Sequence, residues 1–298
     1  MIKIILGIIV IIIIFVCVSI NTENTKSVEI GIIIDDKPPI IMGIIPYLTV
    51  DELKKQMKPF ADYLAIKLDR RVELNIASDY ETLGKLIDSG RVDFTWFSHA
   101  SYMKLSKGKD WEVICRPLVN GKNFYQGLIL VDKNSKYTKI EDLKNKNFAY
   151  VDRNSGSGFL YPNIYFKKKK IVPLKFFKNI AFSRSHDTSV QGILTGKYDA
   201  AAVFDGLLIS EEQNSKVRVI CTTGWIPNDP IVISKEIDPL FKKKLLEALL
   251  NMDNDKDGKI LLEKLKILRG IVKFVPEKII QKNLKEILEK TENSNKKN

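Results

Sequence analysis

The chain has 298 residues, 45% hydrophobic and 28% charged, an ordinary globular composition long enough for a well-buried core and for two lobes. Its net charge of +12 is spread over scattered lysines, with local runs only at 167–170 and 242–244 and no RNA- or DNA-binding motif beside them. That pattern describes a solvated basic surface, not a nucleic-acid footprint, and two histidines with three cysteines leave little material for a metal centre.

The N-terminus bears on location. Met1-Ile-Lys3 leads into an apolar run over 4–18, followed by a polar stretch over 21–27. Residues 1–20 therefore read as a signal peptide or a membrane or lipid anchor, and 21–27 as a tether, so the chain is expected to be exported or membrane-anchored. A cleaved signal, an uncleaved anchor and a lipid on Cys17 all stay open. Val16 stands where lipoproteins usually carry a small residue. Cys115 and Cys221 each fall in an apolar strand-like run and read as buried free thiols.

In chain order, β-branched runs at 28–34 and 40–45 predict two strands split by Asp35-Asp-Lys-Pro-Pro39. Leu53, Met57, Phe60, Leu64 and Leu68 recur at helical spacing after Thr49. A strand over 71–77, a helix capped at 78–81 and running through 87, a strand over 92–97 and a short helix over 99–105 follow. A strand over 111–119 leads into a glycine-containing crossover at 120–127. The second unit predicts strands at 128–131, 147–151, 179–182 and 200–204, with helices at 140–144, 159–168 and 188–194 between them. Runs at 217–222 and 231–234 return the chain, and helices are expected at 239–250, 259–265 and 276–288. This alternation predicts an α/β fold with mainly parallel sheets, in which ligands bind at the carboxyl ends of strands. The expected layout is a first lobe over 28–126, a second over 127–222, and a return to the first lobe with C-terminal helices over 223–298.

The stretch Asn154-Ser155-Gly156-Ser157-Gly158 joins a strand to a helix start. Small residues allow close backbone approach, hydroxyls donate, and the first N–H groups of a helix favour negative charge. Taken alone, the loop could simply cap its helix. A second junction of the same kind, Ser183-Arg-Ser185-His186-Asp187-Thr188-Ser189, supplies an imidazole N–H as a further donor, and two such junctions could face one anion. Asp253-Asn-Asp255-Lys-Asp257-Gly258 opens like a calcium loop, but Lys264 occupies the position of the bidentate glutamate, so it reads as an interhelix turn. Nothing resembles a nucleophile elbow.

The run Asp152-Arg-Asn-Ser155-Gly-Ser157-Gly158-Phe-Leu-Tyr-Pro162, with Ser185-His186, Gly196-Lys-Tyr-Asp199, and Ile226-Pro-Asn-Asp229-Pro230, resembles the periplasmic phosphonate-binding components of ABC importers, in the phosphate/phosphite/phosphonate group. Gly43-Ile-Ile-Pro46-Tyr47, Ser78-Asp79-Tyr80, Gly90-Arg-Val-Asp93 and Glu141-Asp-Leu-Lys144 fit the same family, and the likeness spans about 41–269. The resemblance implies a two-lobed clamshell that binds its ligand without transforming it, uses no cofactor, and works as a monomer with an ABC permease. By position it implies that Ser155 and Ser157, with the N–H groups around Gly156 and Gly158, hold the oxyanion with His186. It also implies that Tyr80 reaches the anion from the first lobe, that Tyr47 and Tyr125 border the site, and that Asp229 meets an amine end. One position departs from the pattern. Gly206, with Asp205 beside it, stands where aminophosphonate binders place a second acid, which allows a smaller oxyanion such as phosphite or phosphate. A sensing module on the same fold is an alternative, as is an enzyme drawing on Cys115, Cys221 or Asp229.

Overall fold

The computed structural model describes residues 37–207 and 215–279. The expected anchor, Cys17, the tether, the strand at 28–34 and most of the helix expected at 276–288 lie outside the described residues.

Two mixed sheets organise the chain. The first contains β1 (Ile40–Ile44), β2 (Val72–Ile76), β3 (Phe94–Trp96), β4 (Trp111–Val119), β10 (Ile231–Ser234) and β11 (Ile271–Pro276), in the order β11-β4-β10-β3-β1-β2. Strands β2, β1 and β3 are parallel, whereas β10 runs antiparallel to both β3 and β4. Helices α1 (Val50–Leu68), α2 (Tyr80–Asp88) and α3 (His99–Leu105) connect the first strands, and α7 (Pro239–Leu250) and α8 (Lys256–Arg269) follow β10. The second sheet contains β5 (Phe124–Asp132), β6 (Asn147–Tyr150), β7 (Asn179–Phe182), β8 (Ala200–Phe204) and β9 (Val217–Pro227), in the order β7-β6-β8-β5-β9. Helices α4 (Tyr161–Lys168), α5 (Pro173–Phe176) and α6 (His186–Leu194) cover it.

The period-two alternation of strands explains how the second sheet is buried on both faces. In β5, Leu128 and Leu130 point into the larger core with Val203, while Ile129 and Val131 pack into a separate aromatic cluster with Phe148, Phe166 and Phe177. The larger core continues under the first sheet through Met42, Leu53, Phe60, Phe94 and Trp96.

Several predicted elements change in type or extent. Residues 124–127, expected as crossover loop, are strand, because Tyr125 and Gly127 find backbone partners at Ile226 and Gly224. Strand β9 likewise runs on to Pro227 instead of stopping at 222. The segment before the C-terminal helix is a strand, β11, which pairs antiparallel with β4 and buries Ile271 and Phe274. Residues 140–143 form a 3₁₀ turn in place of an α-helix. The last helix of the return begins three residues early, at Lys256, because Asp255 caps it by accepting from the Gly258 N–H at 2.8 Å. This agrees with reading that acidic stretch as an interhelix turn.

Candidate functional site

Several helix starts converge on one partly open cavity of about 40 Å³, room for roughly three water molecules. Each is built by local sequence. In the first, Ser155 caps a helical turn by accepting from the Gly158 N–H at 3.0 Å. The Leu160 N–H then reaches back to the Ser155 carbonyl, five residues away, at 3.0 Å. Residues Gly156–Leu160 thus form a π turn, a wider start than the α-helix expected from 159. Gly158 is required by packing, since a Cβ there would lie 2.6 Å from Val151 Cβ. Its N–H is engaged by the Ser155 cap, which leaves the N–H groups of Gly156 and Ser157 as those without a partner inside the turn.

The second start is that of α6. His186, only 3% exposed, donates its backbone N–H to the Tyr47 carbonyl at 3.0 Å, and Asp187 accepts from the Thr49 N–H at 2.9 Å. These bonds tie the turn after β1 to the end of the second sheet. The His186 ring stands edge-on to Phe204 with centroids 4.9 Å apart, and Tyr47 packs on the same ring.

The third start is that of α3, a helix expected at these residues, but its cap Ser98 was not singled out as a site residue by sequence reasoning. Ser98 lines the cavity, caps α3 by accepting from the Ser101 N–H at 3.1 Å, and donates to the Asn154 carbonyl at 3.4 Å across the cleft. Its signal was available, because it is another serine between a strand and a helix. The His99 N–H at the same helix start donates to Asp229 Oδ1 at 3.0 Å.

Tyrosines close the remaining sides. Asp79 caps α2 through the Thr82 N–H at 2.7 Å and so places Tyr80 at its first position, buried and in hydrogen-bonding contact with Ser155. The Tyr125 hydroxyl interacts with Ser157 and lies 3.5 Å from Asp229 Oδ1. Burial pushes both phenols above their ordinary range, with Asp229 adding to the shift, so both remain neutral donors. Asp205 accepts from the Gln126 N–H at 2.9 Å, and burial holds its carboxyl above the usual range.

The structure therefore brings Tyr47, Tyr80, Tyr125, Ser155, Ser157, His186, Asp205 and Asp229 to one cavity, with Gly156 and Gly158 in the turn behind it. Asn228, Pro117, Val119 and Ile271 also line it, and the three apolar positions carried no signal in the sequence. No lysine or arginine lines the cavity among the described residues. The cysteines stand apart from it. Cys115 is fully buried with its thiol raised by burial, whereas Cys221 is half-buried, so only Cys115 matches the reading of a buried thiol in full.

Behind Asn228 and Asp229 lies a buried ion pair. Arg116, 3% exposed, binds Glu277 through Nε at 2.6 Å and Nη2 at 3.1 Å, and donates from Nη1 to the Asn228 carbonyl at 2.6 Å. The same Nη1 lies 3.3 Å from His99 Nδ1. Burial and this guanidinium lower the His99 pKa to about 4, which makes Nδ1 an acceptor near neutrality.

Residues 42–278 match the family described as ABC transporter, phosphonate, periplasmic substrate-binding protein. The chain is 28% identical over 233 residues to the phosphonates-binding periplasmic protein of Escherichia coli K12, covering 75% of this chain and 69% of that protein. It is 25% identical over 231 residues to a probable ABC transporter phosphite-binding protein of Prochlorococcus marinus, covering 71% and 76%. Among solved structures, a binding protein component of an ABC phosphonate transporter from Pseudomonas aeruginosa superposes with a TM-score of 0.74 at 25% identity, covering 81% of this chain and 82% of that one. With the family match spanning most of the chain and the two-sheet α/β architecture in agreement, this protein belongs to the phosphonate-binding periplasmic substrate-binding proteins of ABC transporters.

Proposed function

We propose that this chain is an extracytoplasmic binding protein that encloses a small phosphorus oxyanion, namely phosphonate, phosphite or phosphate, and presents it as a monomer to an ABC permease. The observation that carries this reading is the convergence of hydrogen-bond donors on one small cavity: Ser155, Ser157, Tyr80, Tyr125 and His186 around the start of a π turn. Buried hydroxyls and free N–H groups hold an anion without a dedicated cation, and excluding water strengthens each bond. Binding is the role this geometry supports.

The two lobes divide where β5 and β9 leave the crossover. Among the described residues, 127–207 and 215–222 form the second lobe, and 37–126 with 223–279 form the first. The Gly127–Gly224 pair is the hinge. The N-terminal residues serve export or membrane anchoring.

Protein lacking the residues before Lys26 tests the reading by thermal denaturation with methylphosphonate, aminoethylphosphonate, phosphite and phosphate. A rise in melting temperature with at least one of them is expected. No rise with any of the four would refute a phosphorus-oxyanion site.

A further inference from the structure

Residues 153–186 carry eight lysines and arginines and no aspartate or glutamate, which places +8 of the net +12 in one segment. Six of those charges are lysines at 167–170, 175 and 178, at the end of α4 and around α5. All six are exposed, and none has an ion-pair partner among the described residues. Glu141, the acid that acts on Tyr165 and Cys221 beside Lys169, pairs with none of them. The other lysine run of the chain differs. There Lys242 pairs with Glu112 at 2.6 Å, and Lys243 reaches Glu247 at 4.0 Å. Lys58 and Lys109 are likewise matched, by Asp62 and Asp88.

The same segment holds aliphatic side chains out to solvent. Phe166 and Phe177 are buried in the aromatic cluster with ring centroids 5.5 Å apart, and Ile171 and Phe176 pack on its margin. Backbone bonds fix the turn above these pegs: the Ile171 N–H donates to the Phe166 carbonyl at 2.8 Å, and the Phe177 N–H to the Pro173 carbonyl at 2.9 Å. With those four residues facing inward, Val172 and Leu174 stay 53% and 84% exposed, flanked along the chain by the unpaired lysines. Protruding aliphatic groups with ammonium groups on both sides suit the boundary of an anionic bilayer, where the first enter the acyl region and the second meet headgroup phosphates. Position favours lipid over a permease as the occupant. Helix α4 leaves the Gly156–Leu160 turn beside the cavity and carries the chain about 12 Å away along its axis by the end of the helix. A permease that receives the ligand has to reach the cavity, whereas the far end of α4 can rest on lipid with the cavity uncovered.

We propose that the end of α4 and the turn into α5 dock on an anionic lipid surface, with Val172 and Leu174 entering its apolar boundary and the six lysines binding its headgroups. The inference rests on the reading that the chain works outside the cytoplasm beside a membrane, and it is independent of which oxyanion the cavity takes.

Lysine acetylation read by mass spectrometry tests this on the full chain. The protein is mixed with vesicles of phosphatidylcholine, or of phosphatidylcholine and phosphatidylglycerol in equal parts, neither of which carries a primary amine. Lys169, Lys170 and Lys175 are expected to react about tenfold more slowly with the anionic vesicles than with the neutral ones, and to regain their rate in high salt. Lys58 and Lys85 serve as internal references and should not change. Equal rates in both vesicles, or slowing spread evenly over the exposed lysines, overturns the inference. The triple variant Lys168→Gln, Lys169→Gln, Lys175→Gln should bind anionic vesicles about 100-fold more weakly, at about fivefold per lysine, read as loss of protection at Lys170 and Lys178. Leu174→Ser should weaken docking about tenfold through the lost apolar area. Undiminished protection in both variants overturns the inference, and the lipid comparison on the native chain decides it if either variant fails to fold. Slowing that appears only when the ABC permease is added, with vesicles of either kind, assigns the surface to a protein and overturns lipid docking. A rise in melting temperature with an oxyanion but no selective slowing overturns docking alone, whereas selective slowing with no such rise removes the oxyanion reading and leaves docking in place.

Discussion

Gly127 lies directly opposite Gly224 in the β5–β9 ladder, and the register shifts immediately after it, between Gly127 and Leu128. Gly224 has φ of 127°, in the region that favours glycine, and a Cβ on Gly127 would meet the Thr223 hydroxyl oxygen. The irregularity thus sits where both long strands pass the Gly156–Leu160 turn, with Ser157 Cα 3.4 Å from the position of that Cβ.

Replacing Gly224 by alanine forces a side chain into this backbone conformation. Strain of about 1–3 kcal/mol is expected, read as a lower urea midpoint with an unchanged m-value. A midpoint equal to the native one would show that the ladder relaxes without cost.

Arg116 and Glu277 form a pair with side chains 3% and 16% exposed, and removing one partner leaves the other buried and uncompensated. Arg116→Met should therefore destabilise by about 3–5 kcal/mol, whereas the Arg116→Met, Glu277→Met double variant should recover part of that loss. Urea unfolding of all three proteins measures the difference. A double variant no more stable than the single one would place the loss in the Asn228 carbonyl and not in the orphaned glutamate.

His99 gives a pH dependence of known sign. Its pKa in the folded protein is about 4, below the ordinary value of 6.5, so between these values the unfolded chain binds the extra proton. Its contribution to stability is complete above pH 6.5 and is lost as pH falls towards 4, at roughly 1 kcal/mol per pH unit. The stability difference between native protein and His99→Gln should narrow over this window, and the His99 ring should titrate near pH 4 by NMR. Titration near 6.5 would mean that the ring is neither buried nor faced by Arg116.

Ser157 and His186 stand on opposite junctions of the cavity, so their losses should be separate. Ser157→Ala and His186→Ala are each expected to weaken ligand binding by about 1–3 kcal/mol, the range for a bond to a charged group. Calorimetry with the tightest oxyanion measures it, and unchanged affinity in both variants would locate binding elsewhere.

The sequence by itself determined the α/β order, the serine-glycine turn and its partner at Ser185-His186. These are local properties: helical and strand periodicity, and the need for small residues and hydroxyls where a strand gives way to a helix. Even Ser98 was readable in those terms, as one more serine before a helix start. Other features belong to the tertiary structure because they depend on segments far apart in the chain. Strand β11 exists through its pairing with β4, and residues 124–127 become strand only because β9 lies beside them. Arg116 meets Glu277 from 161 residues away, and that contact holds the Asn228 carbonyl in place. No pattern in Pro-Asn-Asp-Pro shows that Asn228 has both amide hydrogens committed to the Pro117 and Lys122 carbonyls and its oxygen unmet.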